Sequence, residues 1–106
     1  HGPPGEVAQT QRRETRMVTR TVVINNPLGI HARPAALVVQ AAAKFEADIY
    51  ISKGGIHNVN GKSIMSVMML AAENGAEVTV NAEGEDADRA VEALTELLES
   101  NFEDKI

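Results

Sequence analysis

The residues of this 106-residue chain with the most chemistry to offer lie together in Gly29-Ile30-His31-Ala32-Arg33-Pro34-Ala35. A histidine with an ordinary pKa near about 6.5 is partly neutral at physiological pH, and its free ring nitrogen is then a nucleophile. Pro34 fits the first turn of a helix, so a helix is expected to begin near Ala32, with His31 at the boundary of loop and helix. The first N–H groups of such a helix lack intrahelical acceptors, and with the helix dipole they favour an anion. Arg33 adds a guanidinium suited to phosphate oxygens. Together these suggest a histidine that accepts a phosphoryl group. A loop histidine that merely caps the helix fits the spacing at least as well.

A second candidate is Ser63, in Asn60-Gly61-Lys62-Ser63-Ile64-Met65-Ser66-Val67-Met68. It is placed to cap a short helix over Ser63–Ala72, which alone is worth about 0.5–2 kcal/mol. A phosphate on that hydroxyl would sit at the positive end of the helix dipole and need not disrupt the fold. Gly61-Lys62-Ser63 also echoes the end of a P-loop, but Ile56 stands where that motif needs its first glycine.

The same helix carries Ile64, Met65, Met68 and Met69 beside Val67 and Leu70. Part of this methionine set is expected to fill the core, and the short helix has no room to bury all of it. The first helix is similarly rich in apolar residues. The surplus suggests a docking patch containing Ala36, Ile64, Met65 and Met68. His57 and His1 have no partner at metal-ligand spacing and read as surface residues. No metal or cofactor site is expected. Phe45 and Phe102 read as core, and Tyr50 as an amphipathic strand residue.

These residues must be held by regular elements. Val18 to Ile24 is β-branched and Thr-rich, and reads as a strand closed by Asn25-Asn26-Pro27-Leu28-Gly29. A helix follows over 32–45. Strands over 47–52 and 56–60 flank Gly54-Gly55, a two-residue hairpin signal. The Ser63 helix ends before Asn74-Gly75, and Glu77 to Ala82 is a fourth strand with Val78, Val80 and Ala82 on one face. Ala87, Val91, Leu94, Leu98 and Phe102 recur at helical spacing over 86–102. The order is βαββαβα. Its economical packing is α+β: a four-stranded antiparallel sheet with three helices on one face and the other face open to water. Residues 1–16 lack apolar periodicity and read as a disordered tail or an added extension, leaving one domain over 17–106.

Composition narrows the function classes. Cysteine is absent, which excludes disulfide scaffolds and thiolate sites. Aromatics are 3% and the net charge is −5, both against a base-stacking nucleic-acid binder. No apolar run approaches the length of a membrane span or a signal peptide, so a cytoplasmic protein is expected. The charge is uneven. From Arg20 to Lys62 five basic residues face two acidic ones, whereas from Glu85 to Ile106 two basic residues face eight acidic ones. The half holding His31 is basic, as suits phosphate and acidic partners.

Asn26 to Ala35, NPLGIHARPA, resembles the phosphorylation-site signature of the histidine-containing phosphocarriers, the HPr family of the bacterial phosphotransferase system. The segment around Ser63 resembles that family's regulatory serine segment. The resemblance covers about residues 17–106 and implies an open-faced β-sandwich. It implies that enzyme I, charged from phosphoenolpyruvate, phosphorylates His31 at Nδ1, and that the group passes on to an enzyme II A component. Arg33 would neutralise phosphate oxygens in both transfers. Ser63 becomes a candidate for HPr kinase/phosphorylase. The carrier is expected to be a monomer and a phosphorylated intermediate rather than a stand-alone enzyme. The histidine signature also suits the nitrogen-branch carrier NPr. A regulatory paralogue of the family lacks the phosphorylatable histidine, and His31 argues against it. The rival from another class is a non-catalytic interaction module.

Overall fold

The computed structural model describes residues 16–26, 29–30, 32–70 and 72–100. Four strands, β1 (Met17–Val23), β2 (Asp48–Lys53), β3 (Ile56–Asn60) and β4 (Glu77–Glu83), alternate with three helices, α1 (Ala32–Ala42), α2 (Ile64–Met69) and α3 (Ala87–Glu99). The strands form one antiparallel sheet in the order β1-β4-β2-β3. The expected α+β architecture is the observed one.

Alternation along the strands decides which face is covered. Val22 of β1, Ile49 and Ile51 of β2, and Val78, Val80 and Ala82 of β4 are buried. They meet Ala35, Val38 and Ala42 of α1, Val67 of α2, and Ala90, Val91, Leu94 and Leu98 of α3 in one aliphatic core. A fully buried Val, Leu or Ile contributes about 1.5–3 kcal/mol, so aromatic residues are dispensable here. The other face is polar. Thr19 and Thr21 of β1 lie opposite Asn81 and Thr79 of β4, and the hydroxyls of Thr21 and Thr79 are 2.8 Å apart. Such cross-strand hydrogen bonds suit a wet surface. Arg20 points toward the helical face and donates to the Thr95 hydroxyl at 3.4 Å, placing a charge on the edge strand.

The element ends differ from the expected ones for identifiable reasons. β1 begins at Met17 and ends at Val23. Ile24 still exchanges backbone bonds, its N–H to Ala76 and its carbonyl to Gly75, each at 2.9 Å. α1 ends at Ala42 rather than Phe45 because its last turn tightens. Lys44 and Phe45 donate to Ala41 and Ala42, three residues back. Phe45 is half-buried and packs on the rim of the core. α3 ends at Glu99 rather than 102, where Ser100 turns extended and its hydroxyl donates to Leu97 O at 2.6 Å.

Asp86 does not cap its own helix. Its carboxylate instead accepts Glu46 N–H and Ala47 N–H, both at 2.9 Å, joining the start of α3 to the turn before β2. These bonds, Glu46 first, hold the Asp86 carboxyl below its ordinary 3.8. The hairpin matches its signal: Lys53 and Ile56 pair across Gly54-Gly55. Most of the expected tail, residues 1–15, lies outside the described residues, as does Phe102. Arg16 is described. Its carbonyl accepts Gly84 N–H at 2.7 Å, and its guanidinium pairs with Asp88 at 2.6 Å.

Candidate functional site

His31 lies outside the described residues, so the site is built from its neighbours on both sides. The approach from β1 is fixed by a reciprocal pair. Gly29 N–H donates to Asn26 O, and the Asn26 side-chain amide donates to Gly29 O, both at 2.8 Å. Asn26 is 3% exposed, so its amide is a structural strut and not a surface group. Gly29 has φ +69°. A Cβ there would lie 2.6 Å from Ala72 O and 2.9 Å from Glu73 Cα. Only glycine fits both the left-handed backbone and the close approach. Ile30 is buried, and its N–H donates to Ala72 O at 2.8 Å. The residue before His31 is therefore tied to the segment that follows α2.

On the far side, α1 starts at Ala32, immediately after His31 in the chain. Pro34 and Ala35 are buried, while Arg33 is exposed. The first turn of a helix leaves its N–H groups without intrahelical acceptors, and Pro34 contributes none. The expected boundary between loop and helix is present, with Arg33 on its solvent side.

Ser63 is the N-cap of α2, with extended backbone, and its Oγ accepts Ser66 N–H at 3.3 Å. Two neighbours fix its position. Gly61 N–H donates to Ile49 O at 2.8 Å, and a Cβ on Gly61 would lie 2.7 Å from Ile49 Cγ2. Lys62 donates its Nζ to Phe45 O at 2.8 Å, linking the entry of α2 to the turn after α1. Ser63 is half-buried.

α2 corrects one expectation. None of Ile64, Met65, Met68 and Met69 fills the core; they are 44%, 77%, 42% and 67% exposed. Val67 and Leu70 face inward instead. The helix is shorter than expected, and its last turn tightens. Leu70 N–H bonds to Val67 O at 3.2 Å, and Ala72 O accepts from Ile30. A helix of six residues has only one narrow inward face. Ala36 of α1 is half-buried. His57 is exposed on β3, and His1 lies outside the described residues.

Sequence reasoning did not single out Asn26, Ala72, Lys62 or Asp86. For Asn26 a signal existed: asparagine three residues before glycine is turn chemistry. The partners of Ala72, Lys62 and Asp86 are distant in the chain, and no local pattern marks them.

Among the described residues no helix is long and apolar enough to cross a membrane. Residues 18–100 match the family model described as the PTS HPr component phosphorylation site. The chain is 45% identical over 89 residues to phosphocarrier protein HPr of Treponema pallidum, covering 84% of this chain and all of the relative. It superposes on the crystal structure of HPr from Bacillus anthracis with TM-score 0.74 at 46% identity, covering 78% of this chain and 98% of the other. A related branch is also similar. The crystal structure of Crh from Bacillus subtilis, described as a domain-swapped dimer, has TM-score 0.62 at 44% identity and covers 76% of this chain and 92% of the other. With a phosphocarrier model spanning most of its length and relatives above two-fifths identity, the chain belongs to the HPr family of phosphocarriers of the phosphotransferase system.

Proposed function

We propose that His31 is the phosphoryl acceptor of this carrier. Its ring nitrogen Nδ1 attacks the phosphorus of phosphorylated enzyme I; the new N–P bond forms as the donor's bond breaks. The reverse geometry then delivers the group to an enzyme II A component. The observation that carries this reading is the frame around position 31: a buried, hydrogen-bonded Ile30 on one side and the start of α1 on the other. Such transfers need positioning and charge stabilisation more than covalent help from the protein. Arg33, exposed on the first turn, neutralises the phosphate oxygens in both directions.

The exposed Ile64, Met65 and Met68 of α2, with Ala36 of α1, form the docking face for both partners. Unbranched, polarisable methionines suit a surface that must fit more than one partner. Ser63 lies at the end of that face and is the site of regulatory phosphorylation by HPr kinase/phosphorylase. The similarity to Crh, described as a catabolite-repression protein, supports that regulatory layer. The protein works as a cytoplasmic monomer. Pairing of β1 along its full length with β4 of its own sheet supports the monomer, and light scattering tests it. Incubation with enzyme I and phosphoenolpyruvate tests the carrier reading: the expected product is an acid-labile phosphohistidine.

A further inference from the structure

All four methionines of this chain, Met17, Met65, Met68 and Met69, are solvent-exposed, at 59%, 77%, 42% and 67%. None belongs to the core, which is built from Val, Ile, Leu and Ala. Cysteine is absent, so no thiol competes for a two-electron oxidant. Three of the four methionines sit within the six residues of α2, and Met17 stands apart on β1. An oxidant therefore meets three of the four sulfurs on one helix face, and none of the four lies in the core of the fold.

We propose that α2 is a reversible methionine-oxidation site, at which peroxide converts Met65, Met68 and Met69 to sulfoxides and weakens partner docking. The inference rests on the reading of α2 as the docking face. In the reaction a thioether sulfur donates a lone pair to one peroxide oxygen. The O–O bond breaks, the S–O bond forms, and the other oxygen leaves as water. Sulfur loses two electrons and the peroxide gains them. Methionine sulfoxide reductase reverses the step, releasing the oxygen as water while its thiols become a disulfide. Sulfoxidation makes a flexible apolar side chain polar. An interface that desolvates the sulfoxide must then bury its S–O dipole, at a cost to affinity.

The test treats the protein alone with hydrogen peroxide, removes the peroxide, and assays phosphoryl acceptance from enzyme I. Mass spectrometry confirms the sulfoxides, and thermal melting confirms an intact fold. The expected result is a rise of about tenfold in the KM for the carrier, an unchanged melting temperature, and recovery after treatment with the reductase. The Met17→Leu variant should lose rate on oxidation as the unmodified sequence does. A Met65→Leu, Met68→Leu, Met69→Leu variant should show the same rate before and after peroxide, whatever its starting rate. Full oxidation of α2 with unchanged KM overturns the proposal, as does loss of rate in the triple leucine variant or through unfolding. Absence of phosphoryl transfer to the untreated protein would instead overturn the carrier reading.

Discussion

The N–H of Ile30 donates to the carbonyl of Ala72 at 2.8 Å, tying the residue before His31 to the chain emerging from α2. One bond thus couples the loop before His31 to the helix read as the docking face. The loop cannot shift relative to the chain after α2 without leaving the buried N–H of Ile30 unpartnered.

Gly29→Ala should break this coupling. The new Cβ meets Ala72 O at 2.6 Å, in a backbone with φ +69°. Left-handed strain alone costs about 1–3 kcal/mol, and the clash adds to it. Urea denaturation should show at least that loss, and acceptance from enzyme I should slow in the fraction that remains folded. A stability equal to that of the parent protein would refute the role of the close approach.

Arg33→Ala should leave stability nearly unchanged, since the side chain is exposed. Charge-assisted hydrogen bonds to phosphate are worth about 1.5–3 kcal/mol, so transfer should slow roughly ten- to hundredfold. Arg33→Lys should recover only part of it, because the forked geometry is lost. Stopped-flow phosphoryl transfer checks both variants.

Ser63 separates capping from regulation. Ser63→Ala removes the acceptor for Ser66 N–H and should cost about 1 kcal/mol by denaturation. Ser63→Asp keeps an acceptor at the N-cap but puts a negative charge beside the exposed Ile64 and Met65. It should stay folded and yet accept phosphate from enzyme I more slowly. Unchanged kinetics in Ser63→Asp would remove the regulatory role.

Asp86 sets part of the acid sensitivity. Its folded-state pKa is depressed, chiefly by the Glu46 N–H, so the folded protein favours the carboxylate more than the unfolded chain does. That contribution is present above the ordinary aspartate value of 3.8 and is lost as pH falls through the lower folded value. Asp86→Asn should lower the melting temperature at neutral pH, since its amide can accept only one of the two N–H groups. It should also flatten the loss of stability below about pH 4. Parallel acid limbs for the two proteins would count against this.

Much of this arrangement was legible in the sequence because it is local. The strands of alternating Val and Thr, the Gly54-Gly55 turn and the period of α3 each carry their own pattern, and βαββαβα followed from them. Pro34 marked the first turn of α1, and Ser63 marked its own helix. What escaped depends on residues distant in the chain. Asp86 is a good N-cap type by sequence, yet its carboxylate answers Glu46 and Ala47 across the fold. The end of α2 has no local mark either: Leu70 N–H turns to Val67 O, three residues back. The exposure of the methionines is not legible in composition, which does not say that Val67 and Leu70 already fill the narrow inward face.

His31 is the proposed carrier of the phosphoryl group. Enzyme I with labelled phosphoenolpyruvate, followed by detection of phosphohistidine on this chain and on His31→Ala, tests it most directly. The expected result is one acid-labile phosphate on the parent sequence and none on His31→Ala. An unlabelled parent, or equal label on both, would contradict it.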